Sequence, residues 1–179
     1  MRDVEIVDRL NELEEEALDI DGEFPCLDAD VWVEIVEESV EEPLTEQEKQ
    51  EIHEKCERAW LRMYEIHSEE KRLLSEHFLL QGCYPDEREY FGRTQYTCTG
   101  WHKYGYFVKK TVDDDDAWSE FGKSEKKDIY FPFGDDEERA RYEFHNGTVW
   151  RGAFTAVLFR SELYVWEGGK PVLLDTIEY

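Results

Sequence analysis

Residues 45–81 read TEQEKQEIHEKCERAWLRMYEIHSEEKRLLSEHFLLQ, with neither glycine nor proline. Thr45 and Glu48 have the Thr-x-x-Glu spacing of a capping box, which satisfies the free N–H groups at a helix start. Ile52, Cys56, Ala59, Met63, Ile66, Leu73 and Leu80 then fall on alternating three- and four-residue steps, with Glu70 and His77 interrupting the seam. The stretch predicts a helix on the order of 55 Å long at ~1.5 Å per residue. Spacing alone leaves its continuity open.

On the N-terminal side, residues 1–42 carry 17 Asp and Glu against Arg2 and Arg9, a net charge of −15. Ile6, Leu10, Leu13 and Ala17 recur at helical spacing, and Asp8, Glu12, Glu15 and Asp19 repeat that spacing two residues later, about 200° round a helix. An amphipathic helix is predicted, ending near Asp21-Gly22 and Pro25, with its apolar face opposite a carboxylate row that Glu14 and Glu16 widen. A second acidic element, residues 30–42, is read with Asp30 as N-cap. Its Trp32, Ile35, Val36 and Val40 point inward, and Glu34, Glu37, Glu38 and Glu41 outward. The β-branched residues keep a strand open for residues 31–36; the helical period of the acids favours a helix.

On the C-terminal side the character changes at Cys83. Of the 26 aromatic residues, 21 follow it, in short runs broken by Gly, Pro, Asn and Asp, which is a strand-forming composition. Asn146-Gly147 and Gly168-Gly169 lie between strand-like runs and are read as hairpin turns. Strands are also expected over residues 90–98, 101–112 and 128–133. The fold class is therefore α+β: acidic N-terminal helices and a long central helix followed by an antiparallel β-meander. The segments 1–42, 43–82 and 83–179 are read as parts of one compact domain.

A chain of 179 residues can bury roughly 70% of its unfolded surface without disulfides or metal. Residues 1–8 lack the basic and apolar regions of a secretory signal, and the longest apolar run, residues 153–159, is far short of the ~20 needed to cross a bilayer. A soluble, cytoplasmic protein is expected. Cys26, Cys56, Cys83 and Cys98 form no C-x-x-C pair and are read as reduced thiols. His53, His67, His77, His102 and His145 show no ligand-like pairing, so neither metal nor cofactor is expected.

Several chemistries find only weak support. No glycine-rich phosphate loop and no G-x-S-x-G elbow occurs. A thiol nucleophile would be Cys98 or Cys83, with His102 or His145 delivered by the fold. Asp86 with Glu125 and Lys127 has a nuclease-like composition but permissive spacing. Asp19-x-Asp21-Gly-Glu23 and the run Asp113, Asp114, Asp115, Asp116 lack the calcium-loop pattern and are read as solvated turns, the second also as a secondary acidic loop. Trp150, Phe154 and Trp166 are read as core or cross-strand aromatics rather than base-stacking platforms.

The net charge of −24 opposes direct binding to nucleic acid or anionic membrane and points to a basic protein partner. A carboxylate row repeating every ~5.4 Å lies within a factor of two of the charge spacing of one DNA strand. The expectation is a non-enzymatic inhibitor or nucleic-acid mimic that occupies a basic surface through Asp8, Glu12, Glu15, Glu16, Asp19, Asp21, Glu34, Glu37, Glu38, Glu41 and Glu42. In charge and size alone it is similar to phage anti-CRISPR and anti-restriction proteins, which would place it in a host cytoplasm, and to immunity proteins against basic nuclease toxins. The alternatives are an assembly protein that forms a homodimer through Met63 and Ile66 of the long helix, and a small enzyme using Cys98, His102 or His145.

Overall fold

In the computed structural model, which describes residues 2–24, 27–90, 92–98, 102–114, 125–151 and 154–179, the capping box closes as its spacing requires. Thr45 N–H donates to Glu48 Oε2 at 2.8 Å, and Glu48 N–H donates to Thr45 Oγ1 at 3.3 Å. The helix it opens, α3, runs unbroken over Glu46–Gln81. Before it come α1 (Asp3–Glu23) and α2 (Ala29–Ser39). After it come β1 (Asp86–Tyr90), β2 (Arg93–Thr97), β3 (Tyr106–Asp114), β4 (Glu125–Gly134), α4 (Glu137–His145), β5 (Val149–Arg151), β6 (Phe154–Ala156), β7 (Leu158–Glu167) and β8 (Lys170–Glu178). The fold class is α+β, with helices first and antiparallel sheet after. No described helix is long and apolar enough to cross a membrane.

The chain divides into two compact units. A helical unit comprises Asp8–Glu70 and Glu87–Tyr96, and a sheet unit comprises Met1–Val7, Lys71–Asp86 and Thr97–Tyr179. In the helical unit α1 buries Leu10, Leu13 and Ala17, while α3 buries Cys56, Ala59, Trp60, Met63 and Ile66. Each such side chain contributes roughly 1.5–3 kcal/mol when fully removed from water, apart from the smaller alanines and cysteine. Phe24, Cys56 and Ala59 form a cluster backed by Ile20, Trp32 and Ile52. A two-stranded β1–β2 ribbon is tied to α1 through Asn11, whose Oδ1 accepts Tyr96 N–H at 2.6 Å and whose Nδ2 donates to Tyr96 O at 3.4 Å.

The sheet unit is built on two hairpins. Gly168 and Gly169, at φ +57° and +75°, supply the two left-handed residues that a tight β7–β8 turn needs. The β3–β4 and β7–β8 hairpins join through β3 and β7, giving the strand order β4-β3-β7-β8. Alternation then divides the side chains between two faces. Val108 and Leu163 meet Ala140 and Phe144 of α4 on one face. On the other, Phe107, Tyr130 and Trp166 enclose Phe78 from the end of α3, whose ring stacks on Tyr130 at 4.6 Å between centroids. Lys110, on the α4 face, is completely buried; its ammonium meets Glu143 Oε1 at 2.9 Å and donates to the Asn146 carbonyl.

Four local expectations need correction and a fifth is narrowed. Residues 137–145 form α4 rather than the first arm of an Asn146-Gly147 hairpin: Asp136 caps it by accepting Arg139 N–H, and Ala140 and Phe144, one turn apart, bury its inner face. The N-cap of α2 is Asp28, not Asp30. That helix ends at Ser39, where Val40 turns extended ahead of Pro43, so Glu41 and Glu42 follow the helix instead of continuing its row. Its buried residue is Val33, while Ile35 and Val40 are exposed. Of the core and cross-strand readings, Trp166 takes the first, and Trp150 takes only the second: it stands opposite Thr155 on the short β5–β6 ribbon and is 71% exposed.

Candidate acidic interface

Of the net charge of −24, the helical unit carries −18, from 25 acids against seven bases; the sheet unit carries −6, from 20 against 14. The expected carboxylate row does lie opposite the buried face of α1. Asp8, Glu12, Glu15 and Asp19 are exposed on the outer side, and Glu34 and Glu38 are exposed on α2.

Internal ion pairing divides the eleven expected residues into two groups. Glu16 holds Arg62 through two hydrogen bonds at 2.6 and 2.8 Å, and the guanidinium lowers its carboxyl below the usual range. Glu12 pairs with Arg9 at 3.0 Å, Glu15 with Arg93 at 3.4 Å and Glu37 with Lys49 at 3.0 Å. These four are already engaged within the helical unit. Asp8, Asp19, Asp21, Glu34, Glu38, Glu41 and Glu42 are exposed and have no cationic partner among the described residues.

Position on the helices sharpens the distinction. The last turns of α1 and α2 contain no basic residue, yet they carry Asp21, Glu23, Glu37 and Glu38. A helix C-terminus is the negative end of the backbone dipole, where each carboxylate is unfavourable by roughly 0.3–1 kcal/mol. Glu23 and Glu37 are relieved by Lys55 and Lys49 at 2.9 and 3.0 Å. Asp21 and Glu38 are not relieved by any described cation.

Glu14 belongs to neither group. Burial raises its carboxyl above the usual range, a hydrogen bond from Thr94 opposes that, and Glu70 and Glu87 reinforce it. Of the secondary acidic run, Asp113 and Asp114 end β3 rather than form a loop, and Asp113 stands opposite Lys126 of β4. Asp115 and Asp116 lie outside the described residues.

No family, characterised protein or solved structure matches the chain.

The remaining candidates disperse. Asp86 opens β1 and Lys127 lies in β4, facing Val112 of β3. Among the described residues no group of three or more His, Cys, Asp and Glu is placed to hold a metal ion. Met63 and Ile66, expected to pair with a second copy, are buried within the helical unit. Cys98 meets a histidine, but it is His77 rather than His102 or His145. The sequence shows His77 only as a polar break in an apolar seam, and its partner lies 21 residues away on a segment with no marked pattern.

Proposed function

We propose that this chain is a non-enzymatic protein-binding inhibitor that covers a basic, nucleic-acid-binding surface of another protein with the carboxylates of α1, α2 and the segment after α2. The observation that carries the reading is the set of seven exposed carboxylates without a cationic partner among the described residues, concentrated in the unit that holds most of the charge. Asp21 and Glu38 sit at helix ends that a carboxylate destabilises, which is hard to reconcile with a role in holding the fold. The partner's Lys and Arg would supply the missing counter-charges and could not then hold phosphate. Such electrostatic matching speeds encounter and weakens with salt, while a few buried contacts determine which partner is kept. A phage protein directed at a host nuclease and an immunity protein directed at a nuclease toxin would share this chemistry.

The test is titration against a basic nuclease, with its nucleic acid as competitor, as salt rises from about 50 to about 200 mM. Binding should weaken steeply with salt and disappear when Glu34, Glu38, Glu41 and Glu42 are all changed to Lys. These positions are exposed and have no cationic partner among the described residues, so the fold should survive; inhibition that persists at full strength in a folded variant would sink the proposal.

A further inference from the structure

The sheet unit contains a thiol arrangement that the acidic-interface reading does not use. His77 is fully buried near the end of α3. Its Nδ1 lies 2.9 Å from the carbonyl oxygen of Cys83. A carbonyl only accepts, so Nδ1 carries the proton and Nε2 presents its lone pair. That lone pair faces Cys98 Sγ at 3.1 Å. On the other side of the same sulfur, Asp3 Oδ2 stands at 3.4 Å. Cys98 as a residue is exposed although its sulfur is turned toward the buried histidine.

This is a nucleophile in contact with a base that a third group orients, the arrangement by which a thiol is activated. Asp3 works against it, because a carboxylate beside the sulfur disfavours the thiolate. Partial burial and Asp3 together push the Cys98 thiol up to about 11, so the resting group is S–H, shared between Nε2 and Oδ2. A reagent bringing positive charge to Asp3 would cancel the second effect without disturbing the first.

We propose that Cys98 is a modification site for small cationic disulfides, with His77 as proton acceptor and Asp3 as the residue that selects for positive charge. In the step, Sγ–H passes its proton to His77 Nε2 while Sγ attacks one sulfur of the disulfide. The Cys98–S bond forms as the reagent's S–S bond breaks, and the departing thiolate takes the proton from His77. The products are one protein mixed disulfide and one free thiol, so the reaction is stoichiometric and the reagent is the only oxidant.

Cystamine and oxidised glutathione, one cationic and one anionic, are the probes, with the full chain followed by peptide mapping. Cystamine should modify Cys98 faster, and Asp3→Asn should reduce the cystamine-to-glutathione rate ratio roughly five- to tenfold, as expected for one unit charge beside the reacting atoms at part-exposed dielectric. Any preference due to net charge alone would persist in that variant. His77→Asn should slow modification near neutral pH and converge with the parent at high pH, where the thiol ionises unaided. Should that buried substitution unfold the chain, Asp3→Asn still decides. A rate ratio unchanged by Asp3→Asn, or failure of Cys98 to react with cystamine, overturns the proposal.

Discussion

The buried Lys110–Glu143 pair makes an asymmetric prediction about which partner the fold can do without. Lys110 is 0% exposed whereas Glu143 retains 21%. Replacing Glu143 with Gln removes the counter-charge and leaves a full positive charge in the interior facing only neutral acceptors, the Gln amide oxygen and the Asn146 carbonyl. Removing one member of a buried pair in this way costs about 3 kcal/mol. Replacing Lys110 with Met leaves a carboxylate that already reaches water and a carbonyl without its donor, for a loss of about 1–2 kcal/mol. Thermal melting and hydrogen exchange of the β3 amides should therefore rank Glu143→Gln as the more damaging change. Its melting temperature should fall by roughly 6–12 °C, since about 1 kcal/mol corresponds to ~2–4 °C in a chain of this size. The double variant Lys110→Met with Glu143→Leu should recover much of the loss, because apolar replacement of a buried pair is often close to neutral. If Lys110→Met proves as damaging as Glu143→Gln, or if Glu143→Gln costs less than about 0.5 kcal/mol, charge burial is not what governs this site.

Two neighbouring carboxylates on α1 should respond to pH with opposite signs. Glu16 has its carboxyl lowered by Arg62, so its stabilisation is present above 4.5 and is lost as pH falls through the lowered value; Glu16→Gln should destabilise the helical unit at neutral pH and flatten its acid limb. Glu14 has its carboxyl raised by burial, so its ionised form opposes folding as pH rises past 4.5 and through the raised value; Glu14→Gln should stabilise at pH 7 and have little effect in acid. Denaturant titrations across that range check both, and equal signs would contradict the assignment. Gly105→Ala should destabilise the sheet unit by more than about 1 kcal/mol, since the glycine sits at φ +71° and an added Cβ would fall on the Gly134 carbonyl. A melting temperature matching the parent's would refute the close approach.

Much of this architecture is legible in the residues because several signals agree. The capping box, the unbroken run after it and the apolar steps from Ile52 to Leu80 all specify α3, and Gly168-Gly169 between apolar runs specifies the β7–β8 turn. Asn146-Gly147 misleads because the same pair that turns a hairpin also ends a helix: Asn146 is the C-cap of α4. The strand β1 escapes notice because DEREY is exposed at all five positions and carries no alternation. In the candidate interface, carboxylate periodicity marks the outer face, but it cannot distinguish Glu16 from Asp19. What separates them is Arg62, 46 residues from Glu16, reaching across from α3. Long-range pairing of that kind leaves no local trace, and the meeting of His77 with Cys98 escapes detection for the same reason.

The end of α4 couples two decisions that a folding chain would otherwise make separately. Lys110 on β3 and Ser161 on β7 are direct cross-strand neighbours, and both reach the last turn of α4: Lys110 through Glu143 and the Asn146 carbonyl, Ser161 by donating to the Phe144 carbonyl at 2.9 Å. Each hairpin is local, but the β3–β7 seam joins strands about fifty residues apart and is the slow closure in a sheet of this kind. A slip of one residue would move one of the two polar groups to the aromatic face and leave the helix terminus without its partner. The contacts at the end of α4 thus act as a register gauge for the non-local seam, favouring the native pairing of the two hairpins over a slipped one.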